Sequence, residues 1–94
     1  MIRAVWNGHV IAESEATQVV DGYTYFPPAT VKKEHIADST HQSVCGWKGH
    51  ANYFDIVAGG RTNENAAWVY RDPKPEARHI AGHIGFWKGV KIEK

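Results

Sequence analysis

A chain of 94 residues with 43% apolar and 12% aromatic side chains suits one domain built around a single thin core. A charged fraction of 22% and a net charge of +1 exclude an acidic solvating tail and a nucleic-acid polycation. The single cysteine, Cys45, excludes an internal disulfide and suits a reducing compartment without requiring one.

Asn7-Gly8 lies between two runs of strand-forming residues, 2–6 and 9–13. Asn-Gly accepts positive φ at both central positions of a type I′ turn, whose twist matches paired strands, so a hairpin is predicted. Asp21-Gly22 between 17–20 and 23–26 reads the same way, as does Gly59-Gly60 between 52–58 and a return strand over 66–70. Pro27-Pro28 closes the fourth strand, because neither residue can donate a ladder hydrogen bond. Residues 30–36, with Lys32 and Glu34 on one side, read as an edge strand. Residues 37–50 show no period and are expected to form the longest loop, the kind of segment that carries function.

The tail changes character. Pro75 suits a first helical position and Glu76 the positive end of a helix dipole. Ala77, Ile80, Ala81, Ile84 and Trp87 then recur at helical spacing, which predicts a short helix with Gly82 and Gly85 weakening it and Gly89 stopping it. Residues 90–92 alternate as a last short strand. The sum is a mainly β, antiparallel single domain of hairpins over 1–94, with one short C-terminal helix.

Residues 1–47 hold three Lys/Arg against five Asp/Glu, and residues 48–94 hold eight against five. That mild excess fits a solvated surface better than a nucleic-acid footprint, which clusters Lys and Arg more densely. The start of the chain meets a turn at once and does not read as a signal peptide. No stretch is long enough to cross a bilayer, so the cytoplasm is the expected location.

Three constellations carry possible chemistry. His79 and His83 sit four apart and would share a helix face; with His41, Cys45 or His50 they supply zinc-type ligands only if the 37–50 segment meets the helix. The spacing matches no recognised finger, and no bound metal or cofactor is expected. Cys45 has His41, Lys48 and His50 near it in sequence, and cationic neighbours favour a thiolate. Trp47, Lys48, Tyr53, Asn65, Trp68 and Tyr70, with Tyr25 beside them, form an aromatic and polar set. On a strand over 66–70, Trp68 and Tyr70 share one face, and beside a lysine they suit an apolar pocket with one anion anchor. They equally suit the bulk that fills a thin core. Paired catalytic carboxylates, a phosphate-cradling glycine loop and a nucleophile elbow are all missing from the sequence.

The stretches Asn7-Gly8-His9-Val10-Ile11-Ala12-Glu13-Ser14, Tyr25-Phe26-Pro27-Pro28, Cys45-Gly46-Trp47-Lys48-Gly49-His50-Ala51-Asn52-Tyr53, Asn65-Ala66-Ala67-Trp68-Val69-Tyr70 and 75–87 cover nearly the whole chain. Together, in that order, they resemble the family called domain of unknown function 427. The resemblance implies a β-tent-like domain closed by one helix, with signature positions Asn7, Gly8, Pro27, Cys45, Lys48, Gly49, Tyr53, Asn65, Ala67, Trp68 and Tyr70. Ala29-Thr30 stands where the family commonly has an acidic pair, and Gly46 where proline is common. The name nucleotidyltransferase attached to some members implies paired acids and a Gly-Ser helix start that this sequence lacks. Other β-tent proteins hold zinc by cysteine pairs, which one Cys45 cannot supply.

The leading expectation is a domain that binds a small molecule or peptide. Trp47, Trp68 and Tyr70 would line its pocket, with Tyr53 nearby, Lys48 as anion anchor and Asn65 as orienting amide. The first alternative is a thiol-dependent enzyme with Cys45 as nucleophile, His41 or His50 as base and Lys48 stabilising negative charge; β-tent relatives that reduce methionine sulfoxide are its fold-level analogy. The second is a protein-interaction module pairing through the 30–36 edge or the basic tail.

Overall fold

Three two-residue turns set the framework. Asn7 and Gly8 have φ of 50° and 75°, Asp21 and Gly22 of 53° and 81°, Gly59 and Gly60 of 60° and 74°. Both central residues of each turn thus occupy the left-handed region that a type I′ turn demands. The computed structural model describes residues 1–94. Its strands are β1 (Ile2–Trp6), β2 (His9–Ser14), β3 (Gln18–Val20), β4 (Tyr23–Phe26), β5 (Ile36–Cys45), β6 (Gly49–Ala58), β7 (Arg61–Val69), β8 (Ile84–Phe86) and β9 (Lys91–Glu93).

They form two antiparallel sheets: a three-stranded sheet in the order β2-β1-β9 and a six-stranded sheet in the order β3-β4-β8-β7-β6-β5. The mainly β, hairpin-built class is as the sequence predicts, and the last strand β9 lies where the alternation after Gly89 places it. No helix is long and apolar enough to cross a membrane.

The small sheet covers one face of the large one. Ala4, Ile11 and Ala12 meet Phe26, Phe54, Ile56, Val69, Ile84 and Phe86 in one core cluster, with the Phe26 and Phe86 rings edge to face at 5.6 Å. Ile11, Phe26 and Ile56 are fully buried, each contributing about 1.5–3 kcal/mol. Strand alternation sends the next side chains the other way. Tyr25, Trp68 and Tyr70 join Val20, Ala51, Ala77 and Ile80 in a second cluster. The large sheet is therefore apolar on both faces, and the second face is roofed only by a short irregular segment.

Three segments differ from expectation. Residues 30–36 are not an edge strand: they form two 3-10 turns, Pro28–Thr30 and Lys33–His35, with Val31 bridging Ala12, the His35 ring meeting the Val57 carbonyl at 2.9 Å, and Ile36 opening β5. Residues 37–50 are not a loop but the greater part of the β5–β6 hairpin. The strand β5 was hidden because it is an edge, polar on both sides, with its register broken by a bulge between Asp38 and Gln42. The helix ends early. Residues Pro75–Ile80 are 3-10, Ala81 turns extended, and Ile84–Phe86 enter the slot between β4 and β7. Lys88 and Gly89, at φ of 54° and 86°, then make another two-residue turn rather than a helix stop.

Gly85 shows why that slot takes a strand. It pairs with Tyr25 on one side and Trp68 on the other. A Cβ on Gly85 would stand 2.8 Å from Cζ2 and 2.9 Å from Cε2 of Trp68, and 3.0 Å from Tyr25. The indole lies against bare backbone. Gly85→Ala is expected to cost about 1–3 kcal/mol in urea unfolding, the usual penalty of overpacking. Gly46→Ala, whose Cβ would meet nothing within 4 Å, should stay within about 0.5 kcal/mol. Equal effects would contradict the contact.

Candidate functional site

The second face of the large sheet holds a cavity of about 150 Å³ lined by Tyr23, Tyr25, Lys48, Tyr53, Trp68, Tyr70 and Trp87. Its centre is Trp68, held by Gly85 beneath it and by its indole N–H donating to the Tyr25 hydroxyl at 3.2 Å. Tyr23, Tyr25 and Trp87 stand nearly perpendicular to that ring, at interplanar angles of 90°, 86° and 84° and centroid distances of 5.0, 6.0 and 5.9 Å. Edge-to-face contacts of this kind add to area burial and fix ring orientation. Tyr53 closes a further side, tilted at 42°, with its hydroxyl 3.0 Å from that of Ser43.

One wall is charged. The β5–β6 turn brings Lys48 inward until its side chain is 9% exposed, with Nζ 2.9 Å from the Asp21 carboxylate. Its ammonium lies 5.8 Å from the Tyr70 ring centroid and 5.2 Å from that of Trp47. Burial alone would lower the Lys48 pKa. The Asp21 carboxylate, together with the nearby Tyr25, Tyr70 and Cys45 groups, outweighs it and leaves the ammonium above its ordinary value. The hydrogen bond from Lys48 in turn holds the Asp21 carboxyl below the usual carboxylate range. Burial pushes the Tyr70 phenol up to about 12 and raises that of Tyr25, so both hydroxyls stay protonated at neutral pH.

The turn is clamped from outside. The Lys74 backbone N–H donates to the Lys48 carbonyl at 2.8 Å, and the Lys74 ammonium to the Gly46 carbonyl at 2.6 Å. The Gly82 N–H donates to the Tyr70 carbonyl at 3.0 Å. The Pro75–Ile80 segment therefore roofs this face, burying Ala77 and Ile80 against it.

Of the residues singled out from the sequence, Lys48, Tyr53, Trp68 and Tyr70 come together in the cavity wall, with Tyr25 among them. Trp47 stays at the rim, 40% exposed, its indole N–H donating to Asp21 at 3.3 Å. Asn65 lies elsewhere. Its side-chain oxygen accepts from the Ser39 hydroxyl at 2.5 Å and its backbone N–H donates to Asp55 at 2.9 Å, at a bulge where its φ is 56°. Its link to the cavity is indirect: the Asn65 carbonyl accepts the Trp87 indole N–H at 2.6 Å.

Cys45 packs partly buried against the edge of the same cluster. The backbone N–H of Lys48, then that of Trp47, and the Lys48 charge hold its thiol below the ordinary value despite some burial. Neither histidine is placed as its base. His50 pairs with Val44 and Cys45 with Gly49, consecutive rungs whose side chains leave opposite faces. His50 instead meets Gln42 at 2.7 Å. His41 packs on the Tyr53 ring at 4.6 Å, four residues or about 13 Å of strand away from Cys45. No three His, Cys, Asp or Glu side chains gather in a group that could hold a metal; His79 and His83 follow no common helix, and His83 contacts the Ala81 carbonyl.

Sequence reading missed Tyr23, Trp87 and Asp21. The i, i+2 spacing of Tyr23 and Tyr25 after a hairpin turn was a usable signal for the first. Trp87 was absorbed into a helical stripe, and Asp21 was read only as a turn residue.

The family model described as domain of unknown function (DUF427) matches residues 1–94, and the chain belongs to that family. No curated protein matches it.

The thiol environment makes a separable prediction. The midpoint of Cys45 alkylation against pH should fall below the ordinary value of about 8.5. Lys48→Met should raise it only part of the way, because the backbone donors remain. A wild-type midpoint at or above the ordinary value would remove Cys45 from the site's chemistry.

Proposed function

We propose that this chain is a binding domain whose cavity receives one ring-sized group, carried by a small molecule or by a peptide side chain. The observation behind this is that six aromatic rings surround a space of about 150 Å³ instead of closing on one another. A dry cavity of that size in another protein holds benzene, so one six-membered ring fits. It falls below the roughly 300–1,000 Å³ of pockets that swallow whole drug-sized ligands, so a larger ligand would leave the remainder outside. The walls offer π faces for stacking. Lys48 and the protonated hydroxyls of Tyr25 and Tyr70 offer donors to an acceptor on the ring. Tyr23, Trp47 and Trp87 are exposed by 38%, 40% and 39% at the mouth and would cover what protrudes.

A ring of six to nine heavy atoms gains about 4–6 kcal/mol, placing Kd between roughly 1 mM and 0.05 mM. A ligand-observed NMR screen of single-ring fragments is therefore expected to give hits in that range. Trp68→Ala should weaken those hits at least tenfold, because the central stacking face is lost. Hits that bind the folded Trp68→Ala variant as well as the wild type would place their site elsewhere, and a screen without hits would end the reading.

A further inference from the structure

We infer that the ring carries a single carboxylate, and that Asp21 is the resident occupant of the carboxylate's subsite, released to water when ligand binds. This rests on the reading of the cavity as a binding site. The basis is an asymmetry within the Lys48–Asp21 pair. The two atoms lie 2.9 Å apart, yet the Lys48 side chain is 9% exposed and that of Asp21 54%. A buried ammonium stripped of its partner is strongly destabilising, whereas an exposed carboxylate loses little on returning to water. Lys48 thus requires an anion at all times, but not this one.

The rest of the wall decides what kind of anion. A cage of Tyr and Trp rings would ordinarily suit a ligand cation. Here the cation is already built in: the Lys48 ammonium sits 5.8 Å from the Tyr70 ring, within cation–π range, and would repel a second positive charge. One ammonium matches one negative charge. The Tyr25 and Tyr70 hydroxyls line the same space and, protonated at neutral pH as phenols are, offer donors for the second carboxylate oxygen. The ring fills the space against Trp68, and its carboxylate takes the place Asp21 leaves beside Lys48. Asp21 is free to withdraw because it stands exposed at the tip of the β3–β4 turn, its carboxylate held by Lys48 at 2.9 Å and by the Trp47 indole N–H at 3.3 Å.

Three probes of one shape test this: benzoate, neutral benzamide and cationic benzylammonium, titrated into 15N-labelled protein to obtain Kd. Benzoate should bind the wild type, and Asp21→Asn, which keeps the positive φ of the turn, should tighten it at least tenfold by removing the competitor. Lys48→Met should weaken benzoate at least tenfold. Benzamide should change less than twofold in Asp21→Asn, and benzylammonium should not bind the wild type. Benzoate binding that is unchanged or weaker in Asp21→Asn overturns the inference, and Asp21→Gly, also compatible with the turn, repeats the comparison should the Asn variant misfold. Benzamide binding the wild type as tightly as benzoate overturns it too, while leaving the ring-binding cavity in place. If none of the three binds any folded variant, the cavity reading fails and takes this inference with it.

Discussion

The contact of the Trp68 indole with the bare backbone of Gly85 organises the second face of the large sheet. Gly85 lets the ring lie where any side chain would collide, and it places the indole N–H in reach of the Tyr25 hydroxyl. With the central ring fixed, Tyr23, Tyr25 and Trp87 meet it edge-on and stand up around it as walls, while Tyr53 meets it at a tilt. Rings that stand perpendicular to a floor leave a space between them. Rings free to tilt would close that space and bury more area. The cavity is thus a consequence of constrained packing, and the constraint lies in a single glycine on a three-residue strand.

The second element is a charge that the fold has gone to some length to bury. Lys48 sits at the tip of a hairpin, where a lysine would ordinarily extend into water. Two hydrogen bonds from Lys74 hold the turn, and Asp21 meets the ammonium from a turn on the far side of the sheet. Burying such a group is a net cost unless it is paired. The pair also ties the β3–β4 hairpin to the β5–β6 hairpin, which share no hydrogen-bonded ladder because β8 and β7 lie between them in the sheet order. One ion pair therefore serves the fold and defines the polar wall of the site.

Much of this was legible in the chain, for local reasons. Asn7-Gly8, Asp21-Gly22 and Gly59-Gly60 announce hairpins because their backbone demands are written in residue type. Lys48, Trp68 and Tyr70 stood out because two large aromatic residues on one strand face beside a lysine suit a pocket as readily as a core. What was hidden required knowledge of neighbours. Strand β5 has no alternation to read because an edge strand buries little on either side. Strand β8 was masked because Ile80, Ile84 and Trp87 match a helical period by chance, while Ile84 and Phe86 obey a strand's. Asn65 was drawn into the pocket by its place in the hairpin that carries Trp68 and Tyr70, but the bulge at its own position turns its amide toward Ser39. Asp21 needed its turn geometry for one reason and its carboxylate for another, and only the second depends on a residue 27 positions away.

The four tryptophans offer the most direct test, since each indole N–H gives its own NMR resonance and each stands in a different place. Trp68 forms the floor of the cavity, Trp87 a wall, Trp47 the rim, and Trp6 packs against the separate core between the sheets. On titration with benzoate, the account predicts that the Trp68 and Trp87 resonances shift together along one binding curve, that Trp47 follows as its bond to Asp21 is released, and that Trp6 stays still. A shift at Trp6 equal to that at Trp68, or a Trp68 resonance unmoved while others respond, would contradict it.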